Sequence, residues 1–287
     1  PIHISHLKLA GRPMWGKHAQ LLDQLGKARE EGLLLTHDQY AYTASSTSLR
    51  QLLPDEVVAG GSAAFAQRMK DKTERDKTLN WMKSRLLARQ RKDYSYAVIA
   101  YHKKDTRYNG LNVVEAARLR YGNGTLDHQI SLIFEIEANG GASAVFHGMS
   151  EKDARAFLKS PHTMFASDSS VRVFDRGVPH PRGYGNAARF LGHYARDQKQ
   201  LKLEEAIRKL TSLPARTFKL KGRGLVKPGH SADVVVFDPK MIRDNATFKN
   251  PHAYSTGFKY VIVNGRIVVE NDRHNGSGPG QIIRHAQ

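Results

Sequence analysis

Three polar residues stand where apolar, strand-like runs end. His6 closes Pro1-Ile-His-Ile-Ser-His, His37 closes Gly32-Leu-Leu-Leu-Thr-His, and Asp168 closes Thr163-Met-Phe-Ala-Ser-Asp. Imidazole nitrogens and carboxylate oxygens gathered at such places suggest a metal site, and zinc hydrolases draw on this residue set. At the C-terminal end of a barrel strand a side chain points into the mouth where βα-barrels carry their chemistry, so the position argues for catalysis over packing. Each residue also has a plainer reading. A histidine after a strand serves as a core or surface residue, and Asp168, beside Ser167, Ser169 and Ser170, suits a turn or helix cap.

The elements that must position these residues follow from periodicity. Pro1 to His6 reads as a strand, Gly16 to Glu31 as an amphipathic helix with Leu21, Leu22, Leu25 and Ala28 on one side, and Leu33 to Thr36 as a second strand after Gly32. This strand, helix, strand order predicts a βαβ unit with parallel strands and a right-handed crossover. Residues 62 to 92 read as charged helix, Tyr96 to Tyr101 as a strand in an insertion, and Leu111 to Leu119 and Leu126 to Glu137 as helices. The alternation returns with a strand at Ala144 to His147, a helix from Ser150 to Leu158 capped by Ser150 with Asp153 at its third position, and a strand at Thr163 to Ala166. Four strands of βα type are expected, half of a closed eight-strand barrel.

After Asp168 comes a Gly- and Pro-rich loop, then helices from about Ala187 to Asp197, near 203 to 210 and near 213 to 218. The remainder is β-branched, and Asn264-Gly265 between Tyr260-Val-Ile-Val and Arg266-Ile-Val-Val is a strong hairpin signal. The Gly-rich tail Asn275 to Gly280 reads as frayed.

At 287 residues and 40% hydrophobic content the chain holds one large domain or two medium ones. The absence of cysteine excludes a disulfide framework and a Cys-type zinc site within it, and suits a reducing, cytoplasmic setting. No apolar run approaches the roughly 18 residues that span a bilayer. The chain begins at Pro1, already inside a strand-like segment, and is expected to be the later part of a longer protein.

The formal charge of +18 raises nucleic acid as a partner. Arg68 to Arg107 holds thirteen basic and five acidic residues, interleaved with Trp81, Tyr94, Tyr96 and Tyr101, the composition of a surface that tracks phosphates and stacks bases. Acidic breaks at Asp71, Glu74, Asp76 and Asp93, and the lack of a nucleic-acid fold motif, favour a solvated helix face.

Four stretches carry a resemblance: Ile4-Ser-His-Leu-Lys8; Thr36-His-Asp-Gln-Tyr-Ala-Tyr-Thr-Ala-Ser-Ser-Thr47; Ser167-Asp168 with Pro179-His-Pro-Arg-Gly-Tyr-Gly185; and Gly224 to Pro239. The chain is similar to the N-acyl-D-amino-acid deacylases (D-aminoacylases) of the amidohydrolase superfamily. The resemblance implies an α/β fold in which residues 1–223 form the C-terminal half of a (β/α)8 TIM-type barrel, strands 5 to 8, with an inserted helical region at about 61–140. Residues 224–287 would form part of a small β-sandwich. It implies one or two zinc ions, with His6 and His37 as the fifth- and sixth-strand ligands and Asp168 as the catalytic base. Arg182 would grip the carboxylate of a small N-acyl-D-amino acid, and Lys8, Tyr40 and Tyr42 would line the pocket. His147 is expected to be structural or to support a ligand, and His180 and His193 are not expected to bind metal.

The departures are specific. The family's first-strand His-x-His and its early-strand ligand have no counterpart, Ala41 replaces the usual proline between the two tyrosines, and the charge is more basic than the family pattern. The expected activity is therefore zinc-dependent amide hydrolysis, with cyclic-amide or dipeptide hydrolysis as the variant within that class and a basic nucleic-acid-binding module as the alternative outside it. The 287 residues alone, lacking ligands, are expected to be inactive.

Overall fold

The computed structural model describes residues 2–284. β1 (Ile2–Ile4) leads through a loop into α1 (His18–Glu30), and β2 (Leu35–Gln39) follows. Leu21, Leu22, Leu25 and Ala28 give α1 one apolar face, which packs on Leu7, Leu9, Leu35 and Phe157. β1 and β2 pair in parallel, as the βαβ reading expects. The strand at 35–39 begins two residues later than the apolar run suggests, and Pro1 of the expected first strand lies outside the described residues.

β3 (Ser45–Ser48), α2 (Asp55–Val58), α3 (Gly61–Arg68), α4 (Lys72–Ala88), β4 (Ala97–Tyr101), α5 (Val113–Tyr121), α6 (Leu126–Ala138) and β5 (Ser143–Phe146) follow β2 in the chain. These elements share a hydrophobic core, in which Phe65, Met82, Leu86, Ile130, Ile133 and Phe134 are almost fully buried. Asn112 and Glu115 form a capping box at the start of α5, and Gly122 ends that helix in the left-handed conformation that disfavours a side chain.

α7 (Glu151–Lys159) and β6 (Thr163–Phe165) return to the parallel sheet, whose order is β1-β2-β6. This corrects the four-strand expectation. β5 is antiparallel to both β3 and β4 in a separate sheet, because a four-residue apolar run alone does not distinguish parallel from antiparallel partners. Nor does Ser150 cap α7 through its side chain: Asp153 instead accepts from the Gly16 amide and pairs with His18 at 2.6 Å, tying α7 to the start of α1.

α8 (Arg182–Arg189) continues as a π-helix over Phe190–Asp197, and α9 (Leu203–Leu210) and α10 (Ser212–Thr217) follow. β7 (Val234–Phe237), β8 (Phe258–Val263), β9 (Arg266–Glu270) and β10 (Arg273–His274) make an antiparallel sheet ordered β10-β9-β8-β7. Asn264 and Gly265 both take positive φ, 48° and 77°, as a two-residue hairpin turn of this hand requires. No described helix is long and apolar enough to cross a membrane.

Candidate active site

A cleft of about 510 Å³ opens where four parts of the chain meet. His6 and Lys8 come from the loop after β1, Ser46 from β3, Asp168 from the loop after β6, and Arg89 and Arg91 from the end of α4 and the turn beyond it.

His6 has φ 45° and Asp168 φ 50°, the left-handed region that non-glycine residues seldom occupy and that recurs at functional sites. The His6 conformation is held locally. Its amide donates to Asp38 Oδ1 at 2.7 Å, while Asp38 Oδ2 lies 2.8 Å from His3 Nε2 and His3 Nδ1 lies 3.0 Å from Thr36 Oγ1. Lys8 Nζ donates to the His6 carbonyl at 2.6 Å and to His6 Nδ1 at 2.8 Å, so that ring nitrogen accepts. Burial lowers the Lys8 pKa, opposed by the charge of Asp168.

Arg182, at 4% exposure, is a buried cation that stands behind Asp168, outside the cleft lining. Its Nη1 stands 2.8 Å from Asp168 Oδ2 as an ion pair without hydrogen-bond alignment, and Nε and Nη1 have no aligned acceptor among the described residues. Nη2 donates to the Ser46 carbonyl at 3.4 Å, and the guanidinium lies 4.5 Å from the centre of the Tyr40 ring. His180 fixes the start of α8: its Nε2 bonds the Ala44 carbonyl at 2.9 Å, and its Nδ1 accepts from the Arg182 amide at 3.0 Å. Enclosure pushes the His180 pKa down to about 3, which keeps the ring neutral in this bridging role. Tyr40 is core beneath Lys8 and Arg182 and does not itself line the cleft, and burial raises its hydroxyl pKa.

Two sequence expectations are corrected here. His37 does not reach the cleft. It is completely buried on the β2 face shared with Leu35 and Gln39, facing the helices. Arg29 approaches its Nδ1 at 3.4 Å, its Nε2 bonds Thr163 Oγ1 at 2.7 Å, and Thr163 donates onward to the Phe157 carbonyl. Burial, then the charge of Arg29, lowers its pKa to about 4, leaving a neutral ring with both nitrogens engaged and none for a metal. The reason is that β2 runs on to Gln39: position 37 is mid-strand and not beyond the strand's end, so alternation places it on the face of Leu35 and Gln39 and gives the opposite face to Asp38. Tyr42 is likewise core, packed edge-on against His180 and Phe248 and beneath Arg189. Ala41, between the tyrosines, donates its amide to Asn186 Oδ1 at 3.0 Å, a bond that proline has no hydrogen to make.

His147 packs on Phe248, and His193 pairs with Gln198. Of the aromatic residues in the basic run, Tyr94 and Tyr96 are buried, with Arg91 over Tyr96, while Trp81 and Tyr101 are half-buried and exposed Arg85 lies over Trp81. The sequence reading missed Asp38, His3 and the cleft position of Arg89 and Arg91. The alternation Thr36, Asp38 carried a signal for the first of these, whereas only tertiary structure brings α4 to the cleft.

As a zinc site the described residues are incomplete. His6 and Asp168 are suitable donors in type, but no group of three or more potential His, Cys, Asp or Glu ligands occurs among the described residues, and zinc takes four ligands.

The sequence profile of the amidohydrolase family (Amidohydro_3) matches residues 37–269. The chain belongs to the amidohydrolase family. It is 31% identical over 285 residues to a D-aminoacylase of Alcaligenes xylosoxydans xylosoxydans, covering 99% of this chain and 48% of that protein. Its fold is α/β and is similar to that of D-aminoacylase in a structure describing a binuclear metal centre, with TM-score 0.71 at 29% identity, over 96% of this chain and 48% of the other. It is also similar to the N-acyl-D-glutamate deacylase of Bordetella bronchiseptica, solved with zinc and a phosphonate inhibitor, with TM-score 0.69 at 27% identity, over 93% and 46%. This amidohydrolase chain spans about half the length of the curated relatives it matches.

Proposed function

We propose that the protein carrying this chain is a zinc-dependent amidohydrolase that removes the acyl group from N-acyl-D-amino acids. The observation that carries the reading is Arg182, a buried guanidinium beside Asp168 whose Nε and Nη1 have no aligned acceptor among the described residues. A substrate carboxylate offers two oxygens in the plane of that fork. The D-aminoacylase and N-acyl-D-glutamate deacylase relatives support this substrate class.

Asp168 takes the proton of the attacking water and returns it to the amine nitrogen as the C–N bond breaks, yielding a carboxylate and a free D-amino acid. Lys8 orients the His6 ring through Nδ1 and borders the substrate, with Tyr40 packed beneath it. Zinc, held by His6 with donors from outside this chain, would lower the pKa of water to about 7 and polarise the scissile carbonyl. Whether one or two ions bind is a property of that complete site.

The parallel β1-β2-β6 sheet with its α1 and α7 crossovers supports residues 1–223 as part of a (β/α)8 barrel interrupted at about 61–140, and the β7 to β10 sheet supports 224–287 as part of a β-sandwich. The cysteine-free composition suits work in the cytoplasm. The test is amine release by the full-length, zinc-loaded protein from N-acetyl-D-amino acids and from their α-carboxamides. Hydrolysis of the acids, with the carboxamides slower by about thirty-fold or more, supports the reading; no hydrolysis of either overturns it.

A further inference from the structure

We propose that Arg89 and Arg91 form a second anion subsite in the cleft, so that the preferred substrate carries another carboxylate besides the one bound by Arg182. This deepens the amide-hydrolase reading and rests on it. The cleft is lined by Lys8, His6, Arg89 and Arg91 but by one carboxylate only, that of Asp168, and Arg182 already stands 2.8 Å from it. Neither Arg89 nor Arg91 forms an ion pair among the described residues. The two arginines differ in how they are held. Arg91 is anchored, with Nη2 donating to the His147 carbonyl at 2.9 Å and its guanidinium 4.8 Å from the centre of the Tyr96 ring. Arg89, just past the last turn of α4, makes no side-chain hydrogen bond among the described residues and remains available to close on a ligand.

A monocarboxylate taken by Arg182 leaves these two cations without a counter-charge in a confined cleft, where field lines are focused and an anion is strongly favoured. A second carboxylate answers that imbalance, and the guanidinium fork suits it. The carboxylate belongs either to the amino-acid side chain or to the acyl group, and both sources present the same chemistry to the arginines. Sequence position had made Arg89 and Arg91 members of a basic run; the fold makes them a wall of the cleft, separate from the His180 to Arg182 segment that anchors the first carboxylate.

The test uses the full-length protein and two matched pairs: N-acetyl-D-glutamate against N-acetyl-D-glutamine, and N-succinyl-D-alanine against N-butanoyl-D-alanine. The charged member of at least one pair is expected to have the higher kcat/KM, by about ten- to a hundred-fold. That ratio should fall toward one in Arg89→Ala and in Arg91→Ala, and should shrink in the wild type as salt screens the cleft. The pair that shows the preference identifies the source of the carboxylate. Equal kcat/KM within both pairs, or a preference that survives both substitutions, overturns this inference and leaves amide hydrolysis standing. If no member of either pair is hydrolysed, the proposed function fails and the subsite with it.

Discussion

Arg182 Nη1 stands 2.8 Å from Asp168 Oδ2, so the residue proposed to receive the substrate and the residue proposed to move the proton are paired with each other. The pair is out of hydrogen-bond alignment; the Arg182 backbone amide is held by His180 Nδ1, and the guanidinium lies over the Tyr40 ring. In the proposed reaction a substrate carboxylate arriving at Arg182 would compete with Asp168 for the same cation and free the aspartate for the water, which would couple substrate binding to the readiness of the base.

Arg182→Lys keeps the charge and removes the planar fork. We expect kcat/KM toward an N-acetyl-D-amino acid to fall by the equivalent of about 2–4 kcal/mol, with a much smaller loss on the matching α-carboxamide. Equal losses on the two substrates would mean that Arg182 only supports the fold.

The two histidines separate in metal content. His6→Ala in the full-length, zinc-loaded protein is expected to lower bound zinc, whereas His37→Gln should leave it unchanged, since His37 faces Thr163 and Arg29 and not the cleft. Elemental analysis of both variants after gel filtration decides this; zinc lost from His37→Gln would restore the histidine to the ligand set.

His37 also predicts a pH dependence of stability. The unfolded chain protonates this ring near the ordinary 6.5, the folded chain only at about 4, because burial and Arg29 oppose the charge. The contribution is therefore complete above pH 6.5 and is lost as pH falls toward 4, by roughly 3 kcal/mol over the window. His180, pushed down to about 3, acts in the same direction. Urea unfolding at about pH 7.5 and pH 4.5 should show a smaller acid loss for His37→Gln than for the wild type, and an identical loss would contradict the assignment.

Gly185, last residue of the Pro179 to Gly185 motif, is required by close packing. A Cβ there would stand 2.7 Å from the Tyr42 hydroxyl and 2.8 Å from Asp244 Cβ. Gly185→Ala is expected to cost about 1–3 kcal/mol through overpacking, read as a lower midpoint in chemical denaturation, and an unchanged midpoint would show that Tyr42 and Asp244 relax freely.

Much of this arrangement was legible in local pattern. The α1 face at Leu21, Leu22, Leu25 and Ala28 follows from helical period, and the β8–β9 turn follows from the need for positive φ at Asn264 and Gly265. Placement at strand ends brought out His6 and Asp168, and both line the cleft. The errors arose where position depends on tertiary register. The continuation of β2 to Gln39 put His37 mid-strand on the helix-facing side and left the other face to Asp38, and the short β5 run carried no mark of its antiparallel partners. Arg89 and Arg91 looked like a solvated helix face because the packing of α4 on α6, which sets where its end lies, depends on a core assembled from residues far apart in the chain.

The most direct measurement is amine release from an N-acetyl-D-amino acid by the full-length, zinc-loaded Asp168→Asn variant. An amide is isosteric with the carboxylate but too weakly basic to take the proton, so kcat is expected to drop about 10²- to 10⁴-fold while the protein still folds and binds the substrate. Wild-type kcat in that variant would contradict the account, because the proton would then be moving through some other group.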